Sequence, residues 1–316
     1  MNTLLTTSVE EAVSVIRGGG VAAFPTETVY GLGANIFDEW AVGRIFEAKQ
    51  RPADNPLIAH IADADQIDQL AAHIPSSAHA LIDEFFPGPL TIVLKKTDSV
   101  PLIATAGLDT IGIRMPSLDL AHQLIKKCGT PIVAPSANLS GRPSPTTWQA
   151  VYEDLDGRID CILQSDPTDI GLESTVVDCT GDGPPTLLRL GAVSIDELRA
   201  IVPEIRTHTI GESDARKSPG LRHRHYSPTA AVVLVDSRDP LPFTSNDAAY
   251  IGLHAPTAGP SRRLVCHTVA EYAHSLFEFF RECDRGGVTT IFCERVDESG
   301  MGAALMDRLR RAAKDE

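Results

Sequence analysis

The chain has 316 residues, of which 43% are hydrophobic and 22% charged, with a formal net charge of −14; that length exceeds one comfortable core, so two domains are expected. The charge excludes broad, sequence-blind binding to nucleic acid as a main role, because such binding needs many Lys and Arg contacts to phosphates. No apolar run reaches the length of a membrane span, and six cysteines without CxxC or zinc-ligand spacing, behind an N-terminus lacking a charged and an apolar leader region, read as a reduced, cytoplasmic protein.

Ser8 with Glu11 reads as a capping box, and Val9, Ala12, Val13 and Ile16 form one apolar helical face that ends at Arg17-Gly18-Gly19-Gly20. The triple glycine is a helix stop, not a phosphate loop, since no Gly-Lys-Ser/Thr follows and the order is helix then strand. Val21 to Phe24 suits a short buried strand that Pro25 ends, so Thr26, Glu27 and Thr28 emerge at a strand end, where open sheets place ligand groups. From a capping Asp38, Ala41, Val42, Ile45 and Phe46 recur at helical spacing, and the helix runs out at Lys49 before Pro52. Lys49 and Arg51 therefore sit at a helix C-terminus, which the dipole alone would favour. The rigid turn Pro52-Ala-Asp-Asn55-Pro56, followed by the strand Leu57 to Ile61, adds an anion-binding reading to that electrostatic one.

Helices are expected over Asp63 to Ala72 and Pro75 to Phe86, the second stopped by Pro87-Gly88-Pro89. Leu90 to Lys95 and Asp109 to Pro116 read as strands, with Arg114 at the end of the second, where a surface salt bridge is the competing role for an arginine. Leu118 to Cys128 is helical. Pro131 to Ala134 is an apolar strand that breaks into Ser136, Asn138, Ser140, Arg142 and Ser144, pinned by prolines. Gly171-Leu-Glu173-Ser174-Thr175 precedes the strand Val176 to Asp178, Thr186 to Gly191 carries Arg189, and Ser194 to Val202 is a capped helix. Residues 203–229 lose apolar periodicity and form a linker; Ala230 to Val235, Ala248 to Leu253 and Val288 to Cys293 (strands) with Val269 to Cys283 and Met301 to Ala313 (helices) make a small α/β unit. From spacing alone the chain is an α/β enzyme handling a phosphate or carboxylate: cations and hydroxyls gather at strand ends, with no Ser-His-Asp order, metal-binding His pair or Gly-x-Ser-x-Gly elbow.

Phe24-Pro-Thr-Glu-Thr-Val-Tyr-Gly-Leu-Gly33, Lys49-x-Arg51-Pro52 with Asn55-Pro56-Leu57, Ser136-x-Asn138, Gly171 to Val177 and the linker Ser218-Pro-Gly220 to His225-Tyr226-Ser-Pro228 together resemble the YrdC/Sua5 family, specifically its longer Sua5-type threonylcarbamoyl-AMP synthases. The resemblance covers nearly the whole chain. It implies a YrdC-like twisted open sheet domain with flanking helices (residues 1–202), a linker or lid (203–229) and a smaller Rossmann-like Sua5 domain (230–316). It also implies synthesis of L-threonylcarbamoyladenylate from L-threonine, bicarbonate and ATP with release of pyrophosphate, the first step of the N6-threonylcarbamoyladenosine modification of tRNA. The same resemblance implies Mg²⁺ with the ATP and a product that passes to the tRNA threonylcarbamoyl-transferase machinery. Thr28, His60, Arg114, the backbone at Ala134, and Ser174 fall on positions that hold threonine. Arg51, Asn55, Thr110, Ser136, Ser144, Arg189 and Tyr226 fall on ATP positions; Lys49 and Asn138 are placed beside the phosphates, and Lys49 and Arg51 are the expected catalytic pair. No residue is assigned to a metal.

The linker departs from the family wording at Leu221 and His223, and a metal role for His223-x-His225 competes with solvated linker histidines. An RNA-binding module of the same fold is a competing class, opposed by the net charge and the lack of interleaved aromatics; carbamoyl transfer from another donor is a third. Prolines at both ends of the linker stiffen it, so it is expected to act as a lid that brings Tyr226 to the nucleotide, with the second domain as its anchor.

Overall fold

The computed structural model describes residues 2–207, 226–237, 247–256, 259–260 and 262–313. Within the first of these spans lie ten strands, β1 Leu4–Thr6, β2 Ala22–Phe24, β3 Gly31–Asn35, β4 Ile58–His60, β5 Leu90–Lys95, β6 Thr110–Arg114, β7 Ile132–Ala134, β8 Cys161–Leu163, β9 Thr175–Asp178 and β10 Thr186–Arg189. They form one mixed sheet in the order β1-β8-β2-β3-β7-β4-β6-β5-β9-β10. Successive strand residues point to opposite faces, and the two faces bury different sets. Ala22, Phe24 and Ile132 pack with α1 (Val9–Arg17) and α5 (Asp119–Cys128). Ala23, Leu32 and Val133 pack with α2 (Glu39–Lys49), α4 (Ser76–Phe85) and α6 (Trp148–Leu155). Each fully buried aliphatic side chain is worth about 1.5–3 kcal/mol, so helix layers on both faces hold the sheet in place and leave its strand ends to carry polar groups.

Several elements differ from the sequence reading. The helix expected over 63–72 is a 3-10 turn at Ala64–Gln66 and a short α3, Ile67–Leu70. It stops because Ala71 turns extended and bridges to Lys96. The strand β3 contains two glycines, which a propensity argument counts against. A Cβ at Gly33 would lie 2.7 Å from both Ile132 Cγ2 and Phe24 Cε1, so the close approach of neighbouring side chains requires glycine there.

After α7 (Ile195–Ile201) the chain enters a second unit with four strands among the described residues, β11 Ala231–Val235, β12 Ala248–Gly252, β13 Arg262–Val265 and β14 Thr290–Glu294. All pair in parallel in the order β11-β14-β12-β13, as expected of a small Rossmann-like unit, and α8 (Val269–Arg285) and α9 (Met301–Ala313) pack on them. Its core takes in Leu172 and Tyr226 from outside the unit. The joint is also polar. Arg281 Nη2 meets Asp154 Oδ2 at 2.9 Å with both side chains buried, and Arg285 pairs with Glu153 at 2.9 Å. Gly171 (φ +81°) lies so close to α8 that a Cβ would stand 2.5 Å from His274 Cα. Of the linker, Ile205 belongs to the first core and Tyr226 to the second; Ser218-Pro-Gly220, Leu221, His223 and His225 lie outside the described residues.

Candidate active site

The ends of β2, β6 and β7 and the start of β9 open on one cleft that encloses about 570 Å³ of non-atom space, part of it open to solvent; Thr28, Arg51, His60, Arg114, Ala134, Ser136, Glu173, Ser174, Arg189 and Tyr226 all line it.

One part of the wall is built around Arg114. In the β4–β6 register His60 stands opposite Arg114, so both side chains leave the sheet at the same edge. The buried guanidinium donates from Nη1 to Thr28 Oγ1 at 2.7 Å and from Nε to the Gly88 carbonyl at 3.3 Å, while Nη2 stands 2.6 Å from Glu27 Oε1. That last contact is an ion pair whose geometry is off-line for a hydrogen bond, which leaves both buried Glu27 oxygens without a donor. Arg114 is thus the counter-charge that makes Glu27 tolerable in the interior. Thr26 fixes the turn: its Oγ1 donates to the Val29 carbonyl at 2.7 Å and lies 2.9 Å from Thr28 Oγ1. His60 is buried, with Nδ1 3.1 Å from the Ile58 carbonyl, which makes that nitrogen the protonated one. Burial, and then the charge of Arg114, push its pKa down to about 3. The ring is therefore neutral at physiological pH, and its other nitrogen is an acceptor.

The second part of the wall carries Arg51, Arg189, Glu173 and Tyr226. Arg51 donates to the carbonyls of Asn55 (3.3 Å from Nη2) and Pro56 (3.1 Å), so the proline-bracketed turn aims it. Burial lowers its pKa to about 10, which still leaves it charged at neutral pH. Arg189 donates from Nε to the Ser174 carbonyl at 3.0 Å and from Nη2 to Ser174 Oγ at 3.1 Å. Glu173 accepts from Ser144 Oγ at 2.5 Å and from Arg308 Nε at 2.8 Å. Burial acts to raise the Glu173 pKa, but Arg308 and Arg189 outweigh it and hold the group below the usual carboxylate range. Three guanidinium groups, Arg51, Arg114 and Arg189, against one carboxylate, Glu173, leave the cleft lining net positive within an acidic chain, a field suited to anions.

Of the sequence-predicted residues, Thr28, His60, Arg114, Ala134 and Ser174, and of the nucleotide set Arg51, Ser136, Arg189 and Tyr226, meet at this cleft. Others stand behind it. Lys49 is fully buried and its Nζ donates to the carbonyls of Ser136 (2.6 Å) and Asn138 (2.5 Å). Asn138 Nδ2 donates to the carbonyls of Leu139 (2.7 Å) and Arg142 (3.0 Å). The two signature residues thus staple the 136–142 loop from inside and are not among the lining residues. Burial, then Arg51, pushes the Lys49 pKa well down. Ser144 reaches the wall through Glu173, and Asn55 through its carbonyl to Arg51. Thr110 lies at the far end of β6, four residues from Arg114, roughly 13 Å along a strand. The sequence marks Glu27 only as a polar group at a strand end and gives no role to Glu173 or Arg308; the two glutamates stand inside the family motifs, whereas Arg308 has no local signal on an amphipathic helix.

Two family models divide the chain. One, described as "Telomere recombination" and covering the Sua5, YciO and YrdC proteins, matches residues 14–191, and the threonylcarbamoyl-AMP synthase C-terminal domain matches residues 193–314. The chain belongs to the YrdC/Sua5 family. It is 46% identical over 316 residues to the threonylcarbamoyl-AMP synthase of Pyrococcus abyssi, covering 96% of this chain and 93% of that one. It is 41% identical to the Bacillus subtilis enzyme of the same name, over 96% and 92% of the two chains. The structure of P. abyssi Sua5 complexed with L-threonine superposes with a TM-score of 0.89 at 42% identity, covering 99% of this chain and 97% of that one. Membership in the longer Sua5 branch, with its second domain, agrees with the resemblance read from the motifs.

Proposed function

We propose that this protein is a threonylcarbamoyl-AMP synthase, which makes L-threonylcarbamoyladenylate from L-threonine, bicarbonate and ATP and releases pyrophosphate. The observation that carries this reading is the cleft itself: the Arg114 group and the Arg51–Arg189 group line one cavity, so a carboxylate and a phosphate chain can be bound side by side.

In this reading the threonine carboxylate takes the outward N–H groups of Arg114, a charge-assisted contact, and the neutral His60 ring accepts from a threonine donor. Thr28, Ser174 and the backbone at Ala134 complete the pocket. The amine and bicarbonate condense to a carbamate with loss of water. A carbamate oxygen then attacks the α-phosphorus, the bond to the β-phosphate oxygen breaks, and pyrophosphate leaves. Arg51 and Arg189 offset the charge that moves onto the leaving phosphates, and the cleft contributes proximity and exclusion of water. Lys49 acts by holding Ser136 and its loop in place.

Among the described residues no group of three or more His, Cys, Asp or Glu is gathered as a metal site, and the lining carboxylate Glu173 is held by Ser144 and Arg308. The residues do not fit a resident metal, and Mg²⁺ is taken as part of the ATP substrate. No described helix is long and apolar enough to cross a membrane, and six free, buried cysteines suit a reducing cytoplasm. The product is passed to the tRNA threonylcarbamoyl-transferase machinery, and direct tRNA binding is weak or absent in keeping with the acidic charge.

The test is to incubate the pure protein with ATP and bicarbonate plus each of several amino acids and to follow pyrophosphate. Release that depends on threonine supports the reading. Equal release with unrelated amino acids, or none with threonine, overturns it.

A further inference from the structure

One side chain of the second domain touches three residues at or next to the cleft wall. Arg308 on α9 is 0% exposed, the largest fully buried side chain of the described chain. It donates from Nε to Glu173 Oε2 at 2.8 Å and from Nη2 to the Leu190 carbonyl at 2.9 Å, and its guanidinium carbon stands 5.0 Å from the centre of the Tyr226 ring. Each of these contacts leads to a residue expected at the nucleotide. Glu173 is the acceptor of Ser144. Leu190 directly follows Arg189, whose guanidinium is latched to Ser174. Tyr226 also stacks on Phe277 of α8, with ring centroids 5.5 Å apart and an interplanar angle of 20°. Arg308 does not itself line the cleft, whereas Glu173, Arg189 and Tyr226 do.

A helix of an anchoring domain needs no buried arginine to pack: Leu305 and Leu309 already fill that role with 0% exposure. Burying a guanidinium is costly unless its donors are matched, and here the Nε and Nη2 donors match groups that belong to the first domain. Asp307 satisfies Nη1 at 2.6 Å at the rim. The planar, multi-donor geometry of arginine allows this three-way tie, which lysine, a point donor, does not reproduce.

We propose that Arg308 is a positioning residue for the nucleotide: it fixes Glu173, the end of the Arg189 strand and the Tyr226 ring in one geometry, so that the second domain completes the ATP side of the cleft and leaves the threonine side to the first domain. This rests on the reading of the cleft as a threonine and ATP site. The experiment compares the full-length protein with Arg308→Met, Arg308→Lys, Glu173→Gln and the double variant Arg308→Met/Glu173→Gln. The readouts are threonine affinity by calorimetry, ATP affinity by equilibrium titration, threonine-dependent pyrophosphate release, and melting temperature. The double variant removes both buried charges, which guards against a single variant that fails to fold.

Loss of a charged hydrogen-bonding partner predicts about a tenfold weaker ATP affinity in Arg308→Met, with threonine affinity unchanged and partial recovery in Arg308→Lys. Because Arg308 acts through Glu173, the double variant is expected to be no worse for ATP than the worse single variant. ATP affinity and turnover unchanged in a variant whose melting temperature falls would reduce Arg308 to a packing role and overturn the proposal. So would independent, multiplicative losses in the double variant, or equal losses for threonine and ATP. Wild-type protein that binds ATP but releases no threonine-dependent pyrophosphate would refute the assigned reaction, and the Arg308 proposal then stands or falls on the ATP affinities.

Discussion

The two clusters that wall the cleft are built in opposite ways. Arg114, Glu27, Thr28 and His60 all come from the first sheet and its turns, and their contacts close within it. Glu173 and Tyr226 line the same cleft but are held by Arg308 and Phe277 of the second domain, and Arg308 also takes the carbonyl of Leu190, the residue after Arg189. The first cluster is therefore preorganised by strand register, and the second depends on a domain joint. Domain joints repack more readily than strand register slips, because a slip of one residue turns a whole strand inside out. If the site changes shape during turnover, the Tyr226 side is the part able to move.

The sharpest way to break this comparison is Arg114→Ala. It removes the proposed carboxylate anchor and leaves Glu27 as an uncompensated buried charge, so stability is expected to fall by about 3–5 kcal/mol. Threonine affinity should fall roughly a hundredfold, the loss of two charged hydrogen bonds. Denaturant unfolding and calorimetric titration measure the two. ATP affinity that falls as far as threonine affinity in folded protein would mean the clusters are not separate.

The complementary change is Asp154→Ala at the joint. It strips buried Arg281 of its carboxylate, and about 3 kcal/mol of stability is expected to go with it. If the nucleotide side depends on the joint, ATP affinity drops while threonine affinity holds. An unchanged ATP affinity would show that Arg308 and Phe277 keep their places without the Asp154 bridge, and would narrow the dependence to those two residues.

How much of this was legible in the sequence follows the same division. The residues of the Arg114 cluster were readable because strand ends followed by proline or by short polar runs are local signals: Phe24-Pro25 and Arg114-Met-Pro116 mark where side chains leave the sheet. Glu27 was quoted in the motif, but its partner is 87 residues away and the pairing appears only in the fold. Lys49 and Asn138 read as phosphate ligands because cation and amide motifs look alike whether they bind a ligand or a loop; the carbonyls that occupy them are tertiary. Among the elements, the helix Trp148–Leu155 carried a cap at Thr147 and apolar spacing that could have been used. The strands Leu4–Thr6 and Cys161–Leu163 are three residues each and have no period to read. Arg308 was invisible for a different reason: near Arg310 and Arg311 it looks like one solvated face, and only the docking of the helix buries it.

Lys49→Met tests whether the loop staple serves the cleft indirectly. Two carbonyls lose their donor, and an unsatisfied buried group costs about 1–3 kcal/mol, so stability should fall by about 2 kcal/mol. Turnover is expected to fall with it as Ser136 loses its place, with ATP affinity falling in parallel. A loss of turnover without any loss of stability, seen in denaturant unfolding, would instead put the ammonium on the phosphates during the reaction.

The smallest effect is expected at His60, and it has a sign fixed by linkage. Its pKa falls from 6.5 to about 3 on folding, because burial and then Arg114 oppose a second positive charge. Between those values the unfolded chain binds a proton that the native protein refuses, so stability rises with pH across that window and is lost as pH falls from 6.5 toward 3. Above 6.5 both states are neutral and the term vanishes. His60→Gln removes it. Wild type is therefore expected to lose about 1 kcal/mol more than the variant between pH 6.5 and 5.5, with the gap widening toward about 1.4 kcal/mol for each further unit. Urea unfolding of both proteins across that range is the measurement. Parallel curves would mean that His60 titrates normally in the folded state. It would then have to be open to water or to share its proton with a carboxylate, and Glu27 is the buried carboxylate whose ion-pair partner Arg114 stands beside it.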